Sequence, residues 1–163
     1  MKIRIAGIVQ DSIVDGKGLR FVVFTQGCPH QCPGCHNPET HDMRGGTLMD
    51  VDEIIAQMYA NPLCDGLTLS GGEPFLQPMC CTRIAKAAKE RGMNVWCYTG
   101  YTLNELSSIP AADDLLAYVD VLVDGRFIQS KRSLDLDYRG STNQRVIDMN
   151  AYRETGEITL LYK

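Results

Sequence analysis

Three cysteines within eight positions are the residues of this chain best placed by type and spacing to do chemistry. Cys28, Cys32 and Cys35 lie in GCPHQCPGCHNPET, a C-x3-C-x2-C pattern. Thiolates at this spacing can wrap one small metal centre inside a single loop. Pro29, Pro33, Gly34 and Pro38 discourage a regular helix there and let the backbone curl. Three thiolates can hold three irons of a [4Fe–4S] cube, a cluster that usually has four cysteine ligands. The next cysteine is Cys64, so the fourth iron would stay open to an exogenous ligand, as at a catalytic rather than a structural metal site. Alternatively, His30, His36 or His41 could complete a Cys3His zinc tetrahedron. Three unrelated thiols are the remaining reading.

A second segment, SGGEPF from Ser70 to Phe75, follows the β-rich run GLTLS. Glycines without Cβ atoms let the backbone come close to a ligand. Main-chain groups exposed there can receive the ammonium of an amino acid, and Glu73 adds negative charge. The same residues also suit a tight strand-to-helix turn in which Pro74 opens the helix. Thr99-Gly100 and Asp124-Gly125 follow further apolar runs and read as contacts to ribose or carboxylate, or as turns. Arg139, Asn143, Gln144 and Arg145 form a polar set that is either a partner surface or a solvated loop. His30 and His41 read as loop residues, and His36, beside Cys35, as a cofactor contact or loop orienter. Cys64, Cys80, Cys81 and Cys97 contain no C-x2-C pair and read as buried apolar thiols. Trp96 and Tyr98 read as core.

The elements that must position these residues alternate. Strand patterns run from Lys2 to Val9 and from Leu19 to Thr25, and a Gly- and Pro-rich loop follows to about Gly46. Asp50 with Glu53 reads as a capping box for a helix carrying Ile54, Ile55, Met58 and Tyr59, ended by Asn61-Pro62. A strand from Gly66 to Ser70 leads to a helix from Gln77 to Arg91, with Gly92 as its C′ residue. Then come a strand from Asn94 to Tyr98, short helices at Leu103–Ser107 and Asp113–Tyr118, and a strand from Val119 to Val123. Short strands close the chain near Arg145–Asp148 and Ile158–Tyr162. The order β-loop-α-β-α-β-α-β implies a parallel sheet with right-handed crossovers. A complete (β/α)8 barrel needs about 250 residues, so 163 residues allow part of one, or an open sheet. Ligands gather at the C-terminal ends of such strands, where both the cysteine loop and Gly71-Gly72 fall.

Composition fits this picture. Hydrophobic residues make up 44% and charged residues 22%, as in an ordinary soluble domain and unlike a disordered chain. The formal charge of −4, with Lys and Arg scattered, disfavours nucleic acid. No apolar run approaches the roughly 18 residues of a membrane span. The alternation in Met1-Lys2-Ile3-Arg4-Ile5 is unlike a signal peptide, so the expected compartment is the cytoplasm. Seven cysteines, an odd count, point to metal or redox chemistry rather than to a paired disulfide framework.

The succession Cys28-x3-Cys32-x2-Cys35, then Gly71-Gly72-Glu73-Pro74, resembles the radical S-adenosylmethionine superfamily. The segments DSIVDGKGLRFVVFTQGCPHQCPGCHNPET (Asp11 to Thr40), VDVLVDGRF (Val119 to Phe127) and YRGSTNQRV (Tyr138 to Val146) are similar, in that order, to the activating proteins of anaerobic ribonucleoside-triphosphate reductase. That family is short, and the similarity runs from about residue 5 to 148. Many members of the superfamily carry an aromatic residue just before the third cysteine. Gly34 stands there in this chain, as in the narrower family.

The resemblance implies an α/β fold, an incomplete (β/α) barrel of parallel strands forming a single domain over residues 1–163. It implies that Cys28, Cys32 and Cys35 hold a [4Fe–4S] cluster whose open iron takes the amino and carboxylate groups of S-adenosylmethionine. Gly71, Gly72 and Glu73 would hold the methionine portion, and backbone around Gly34, Cys35 and His36 would meet the adenine. One electron from the reduced cluster would break the S–C5′ bond. The resulting 5′-deoxyadenosyl radical would take a hydrogen atom from a glycine Cα in the large subunit of the reductase. Reduced flavodoxin is the implied electron donor. No side-chain acid or base is implied, because the cofactor carries the chemistry.

Overall fold

The computed structural model describes residues 1–162; Lys163, the last residue of the expected domain, lies outside the described residues. Eight strands form one sheet: β1 (Lys2–Ser12), β2 (Arg20–Thr25), β3 (Thr47–Asp50), β4 (Gly66–Gly71), β5 (Asn94–Tyr98), β6 (Val121–Asp124), β7 (Arg145–Asp148) and β8 (Leu160–Tyr162). Their spatial order is β3-β1-β2-β4-β5-β6-β7-β8, with β3 and β8 as free edges. The sheet is therefore open, an incomplete barrel as expected. Its centre, β2-β4-β5-β6, is parallel. Both flanks are antiparallel: β1 to β2 and β3 on one side, β7 to β6 and β8 on the other.

Helices α1 (Val51–Tyr59), α2 (Pro78–Glu90), α3 (Leu103–Leu106) and α4 (Ala112–Leu116) make the crossovers, and α5 (Met149–Thr155) joins β7 to β8. Side chains of the central strands alternate between two layers, as the strand period of two requires. Phe21, Val23, Leu67, Leu69, Val95, Cys97 and Leu122 pack with the helices in the main core. Trp96, Val121, Val123 and Val146 form a second cluster with Tyr98, Tyr138 and Tyr162. Arg20 is fully buried. Its guanidinium donates to Thr68 Oγ1 (2.7 Å), to the Leu67 carbonyl (2.8 Å) and to Asn94 Oδ1 (2.6 Å). It also stands 5.5 Å from the Trp96 ring centre. Burial lowers its pKa to about 10. The register pairs Arg20, Gly66 and Asn94 across three strands at their N-terminal ends, so this buried cation closes the end of the barrel opposite the cysteines.

Several local expectations are corrected. The Asp50 side chain accepts from Asp52 N, not from Glu53, so it caps α1 without a capping box; the capping box is Thr102 with Glu105, at α3. β6 starts at Val121 rather than Val119; just before it, the Asp120 carboxylate accepts from Val95 N and from Lys89 Nζ. β3 takes in residues 47–49, for which the sequence pattern predicts no element, and the cap residue Asp50. Gly92 does follow α2 with φ +75°, the left-handed C′ conformation.

Candidate active site and metal centre

All four parallel strands end at one cavity of about 450 Å3, within the usual range for small-molecule sites. Cys28 follows β2, Gly71 and Gly72 close β4, Thr99 and Gly100 follow β5, and Gly125 follows β6; all of them line it. Cys32, Cys35, His36 and Asn37 from the loop, and Phe127, Tyr138 and Arg139 from the chain after β6, complete much of the wall. The three cysteines and the glycine pair, about forty positions apart in sequence, thus face one space.

Backbone bonds join the two motifs directly. Gly72 N donates to the Thr25 carbonyl (3.0 Å), and Glu73 N to the Gly27 carbonyl (2.8 Å). A Cβ at Gly71, where φ is +113°, would stand 2.3 Å from both N and O of Thr25, and one at Gly72 would stand 2.4 Å from the Gly27 oxygen. The glycines are therefore required by the close approach of two protein segments. Their permissiveness serves the seam between turn and loop, and their remaining surface faces the cavity. The far side of the loop is pinned as well. Gly27 N donates to the Thr40 carbonyl and Cys28 N to the His41 carbonyl, while Gln26 Nε2 donates to the carbonyls of Glu39 and Asp42.

Glu73 lies behind the wall, contrary to its expected place on it. It is fully buried. Its carboxylate accepts from Thr99 Oγ1 (2.8 Å), Gly100 N (2.8 Å) and Phe75 N (3.1 Å). It also lies 2.8 Å from Nε2 of His30, whose side chain is only 4% exposed and meets the Tyr101 ring edge-on. One carboxylate thus ties the exit of β4 to the exit of β5 and to the cysteine loop. Gly100 is demanded by the same packing, since a Cβ there would stand 2.3 Å from the His30 ring. His30 is committed to this clamp, and among the described residues no three His, Cys, Asp or Glu side chains converge on a single metal ion.

The cysteine surroundings fit a cluster chemically. Burial pushes the Cys28 and Cys32 thiols above their ordinary range, so metal binding there releases protons as the thiolates form. Asn37 N points at Cys35 Sγ from 3.5 Å, a donor suited to a thiolate. Three thiols and a glycine turn open on one roomy cavity, a donor set that suits an iron–sulfur cluster.

The remaining candidates separate. Cys35 and His36 line the cavity, and His36 stands 5.4 Å from the Phe127 ring. Gly34, with φ +73°, instead faces the side chains of Phe127 and Gln129. Asp124 is a buried support: it accepts from Leu103 N and pairs with Arg145 at 2.6 Å. Gln144 accepts from Gly140 N and Ser141 N and donates to the Gly125 carbonyl. Cys81 and Cys97 are fully buried, but Cys64 and Cys80 only half so. Sequence reasoning missed Tyr98, assigned to the core but lining the cavity, and also Asp15 and Phe127. Tyr98 was detectable, because it falls at the last position of a parallel strand. Asp15 and Phe127 lie in irregular segments, where periodicity carries no signal.

Known proteins resemble this chain in sequence and in fold. The model of the 4Fe-4S single cluster domain family matches residues 14–147. The chain is 37% identical over 145 residues to the anaerobic ribonucleoside-triphosphate reductase-activating protein of Haemophilus influenzae, covering 81% of this chain and 89% of that protein. It is 37% identical over 143 residues to the Escherichia coli K12 protein of the same name, covering 82% and 91%. The bacteriophage T4 protein of that name is 34% identical over 140 residues, covering 82% and 86%. In fold, the crystal structure of QueE from Escherichia coli is similar with a TM-score of 0.54 at 14% identity, covering 76% of this chain and 70% of that one.

Proposed function

The chain belongs to the family of anaerobic ribonucleoside-triphosphate reductase-activating proteins, and we propose that it installs a glycyl radical on the large subunit of such a reductase. Its cofactors are a [4Fe–4S] cluster and S-adenosylmethionine. Cys28, Cys32 and Cys35 would hold the cluster, which with S-adenosylmethionine would supply one-electron cleavage of the S–C5′ bond and hydrogen-atom abstraction from a glycine Cα of the partner, the electron coming from an external reductant and methionine and 5′-deoxyadenosine leaving as products.

The protein's own residues hold and shield. Cys28, Cys32 and Cys35 are the cluster ligands. Gly71 and Gly72 present main chain to the methionine end of the cofactor, and Cys35 and His36, with Phe127, flank its nucleoside end. Glu73 acts one layer back, as the positioning residue that keeps turn, loop and β5 in register. The observation that carries this reading is the single cavity onto which the three thiols and the glycine turn both open. Reduced flavodoxin is the electron donor in this reading. The cytoplasm is its compartment, where thiols stay reduced; among the described residues no helix is long and apolar enough to cross a membrane.

The test is direct. The reconstituted protein is mixed anaerobically with an anaerobic ribonucleoside-triphosphate reductase, S-adenosylmethionine and reduced flavodoxin, and the reductase is examined by electron paramagnetic resonance. A glycyl radical doublet that requires every component supports the proposal. Its absence, with cluster content shown to be full and a known activating protein succeeding in parallel, refutes it.

A further inference from the structure

The polar tail after β6 contains one side chain that the fold leaves partly unmet. Among the described residues lining the cavity, Arg139 is the only arginine or lysine, and Asp15 the only carboxylate. Nη1 of Arg139 donates to the Gln144 carbonyl at 3.0 Å. Nε is buried and has no partner. Among the described residues no acceptor reaches Nη2, and Arg139 makes no ion pair. Nε and Nη2 together form one edge of the guanidinium fork, the edge whose paired N–H groups match the two oxygens of a carboxylate.

The backbone around this side chain is held in place. Tyr138 has φ +61°, a conformation that is costly without a Cβ-free residue and persists where surroundings enforce it. Trp96 and Tyr162 pack edge-on against its ring, at 5.1 and 5.3 Å between centres. On the other side, a Cβ at Gly140 would stand 3.0 Å from the Phe127 ring. Gln144 holds Gly140 and Ser141 by their N–H groups and anchors the turn to Gly125 at the end of β6. Arg145, the neighbouring cation, is spent on Asp124. The tail therefore divides into supports and one cavity-lining guanidinium that is only partly bonded.

We propose that Arg139 is the binding residue for a carboxylate, and that in this cavity the carboxylate is the one on the amino-acid end of S-adenosylmethionine. The inference rests on the reading of the cavity as the S-adenosylmethionine site. It makes Arg139 the side chain that, beside the open iron, distinguishes the intact cofactor from adenosyl sulfonium compounds lacking the carboxylate.

The test is equilibrium binding to the reconstituted, unreduced protein, in which no turnover occurs, measured by anaerobic calorimetry. The probes are S-adenosylmethionine and decarboxylated S-adenosylmethionine. For Arg139→Gln, the expected result is a loss of S-adenosylmethionine affinity of roughly 10- to 100-fold, the scale of one charge-assisted hydrogen-bonded pair. Affinity for the decarboxylated compound should stay within about threefold, so that the coupling is specific to the carboxylate. Arg139→Lys, which keeps the charge but not the fork, should fall between wild type and Arg139→Gln for the first ligand only. An equal loss for both ligands, or wild-type affinity for S-adenosylmethionine in both variants, would overturn the assignment. Wild-type protein with a full cluster that bound no S-adenosylmethionine would instead overturn the reading on which it rests.

Discussion

Replacing Glu73 by Gln isolates the clamp behind the cavity. The carboxylate serves four donor groups in a fully buried position. An amide keeps one acceptor oxygen and turns an NH2 toward donors. If the NH2 takes the Oε2 position it confronts Phe75 N; in the Oε1 position it confronts Gly100 N. Either way one buried backbone N–H is orphaned, at about 1–3 kcal/mol, and the remaining bonds lose their charge assistance at about 1 kcal/mol each. The sum is about 3–6 kcal/mol, a large share of the 5–15 kcal/mol that typically separates folded from unfolded chains. With a urea m value of about 2 kcal/mol/M, the midpoint should fall by roughly 1.5–3 M. Anaerobic urea unfolding is read through the single tryptophan, Trp96, which is buried on the cavity side of the sheet. Glu53→Gln, at an exposed position on α1, is the control and should move the midpoint little. A Glu73→Gln shift below about 0.5 M would refute the idea that this carboxylate fastens turn, loop and β5 together.

Three other outcomes follow from the same geometry. Cys32→Ala should abolish cluster binding, seen as loss of iron and sulfide after reconstitution, while far-UV circular dichroism of the chain is retained; full cluster content would remove Cys32 from the ligand set. Gly72→Ala should destabilise by about 1–3 kcal/mol, because its Cβ meets the Gly27 oxygen, whereas Gly7→Ala, with nothing within 4 Å, should not; urea midpoints compare the two. Burial raises the Cys81 and Cys97 thiols from an ordinary 9.0, so the folded state retains protons that the unfolded state releases. Stability should therefore fall as pH rises through 9.0, and mass spectrometry at pH 8 should find these two thiols unalkylated until the chain is unfolded.

The centre of the fold was legible because local pattern and tertiary role coincide there. β2, β4 and β5 are short β-rich segments buried on both faces, the signature of parallel strands, and α2 carries its own C′ glycine. The antiparallel flanks were not legible. Nothing in the alternation of Lys2 to Val9 states its direction, and Thr47–Asp50 is a four-residue strand whose identity comes only from pairing with the start of β1. α5 was overlooked although Asp148 caps it and Gly156 ends it in the left-handed conformation. In the site, spacing located the cysteines and the glycine turn. It could not show that the glycines are demanded by Thr25 and Gly27, or that Glu73 faces inward, because those are contacts between segments distant in sequence. The same limit hid the division of the tail into supports and one guanidinium with an unpartnered Nε.

The central claim is that this cavity holds a cluster-bound cofactor that it cleaves reductively. The measurement that tests it most directly is anaerobic turnover: reconstitution with iron and sulfide, reduction, addition of S-adenosylmethionine, and quantification of 5′-deoxyadenosine and methionine. Both products are expected in equal amounts, dependent on the reductant and absent from Cys32→Ala protein. Wild-type protein with a full, reduced cluster that yields neither product, even with the reductase present, would contradict it.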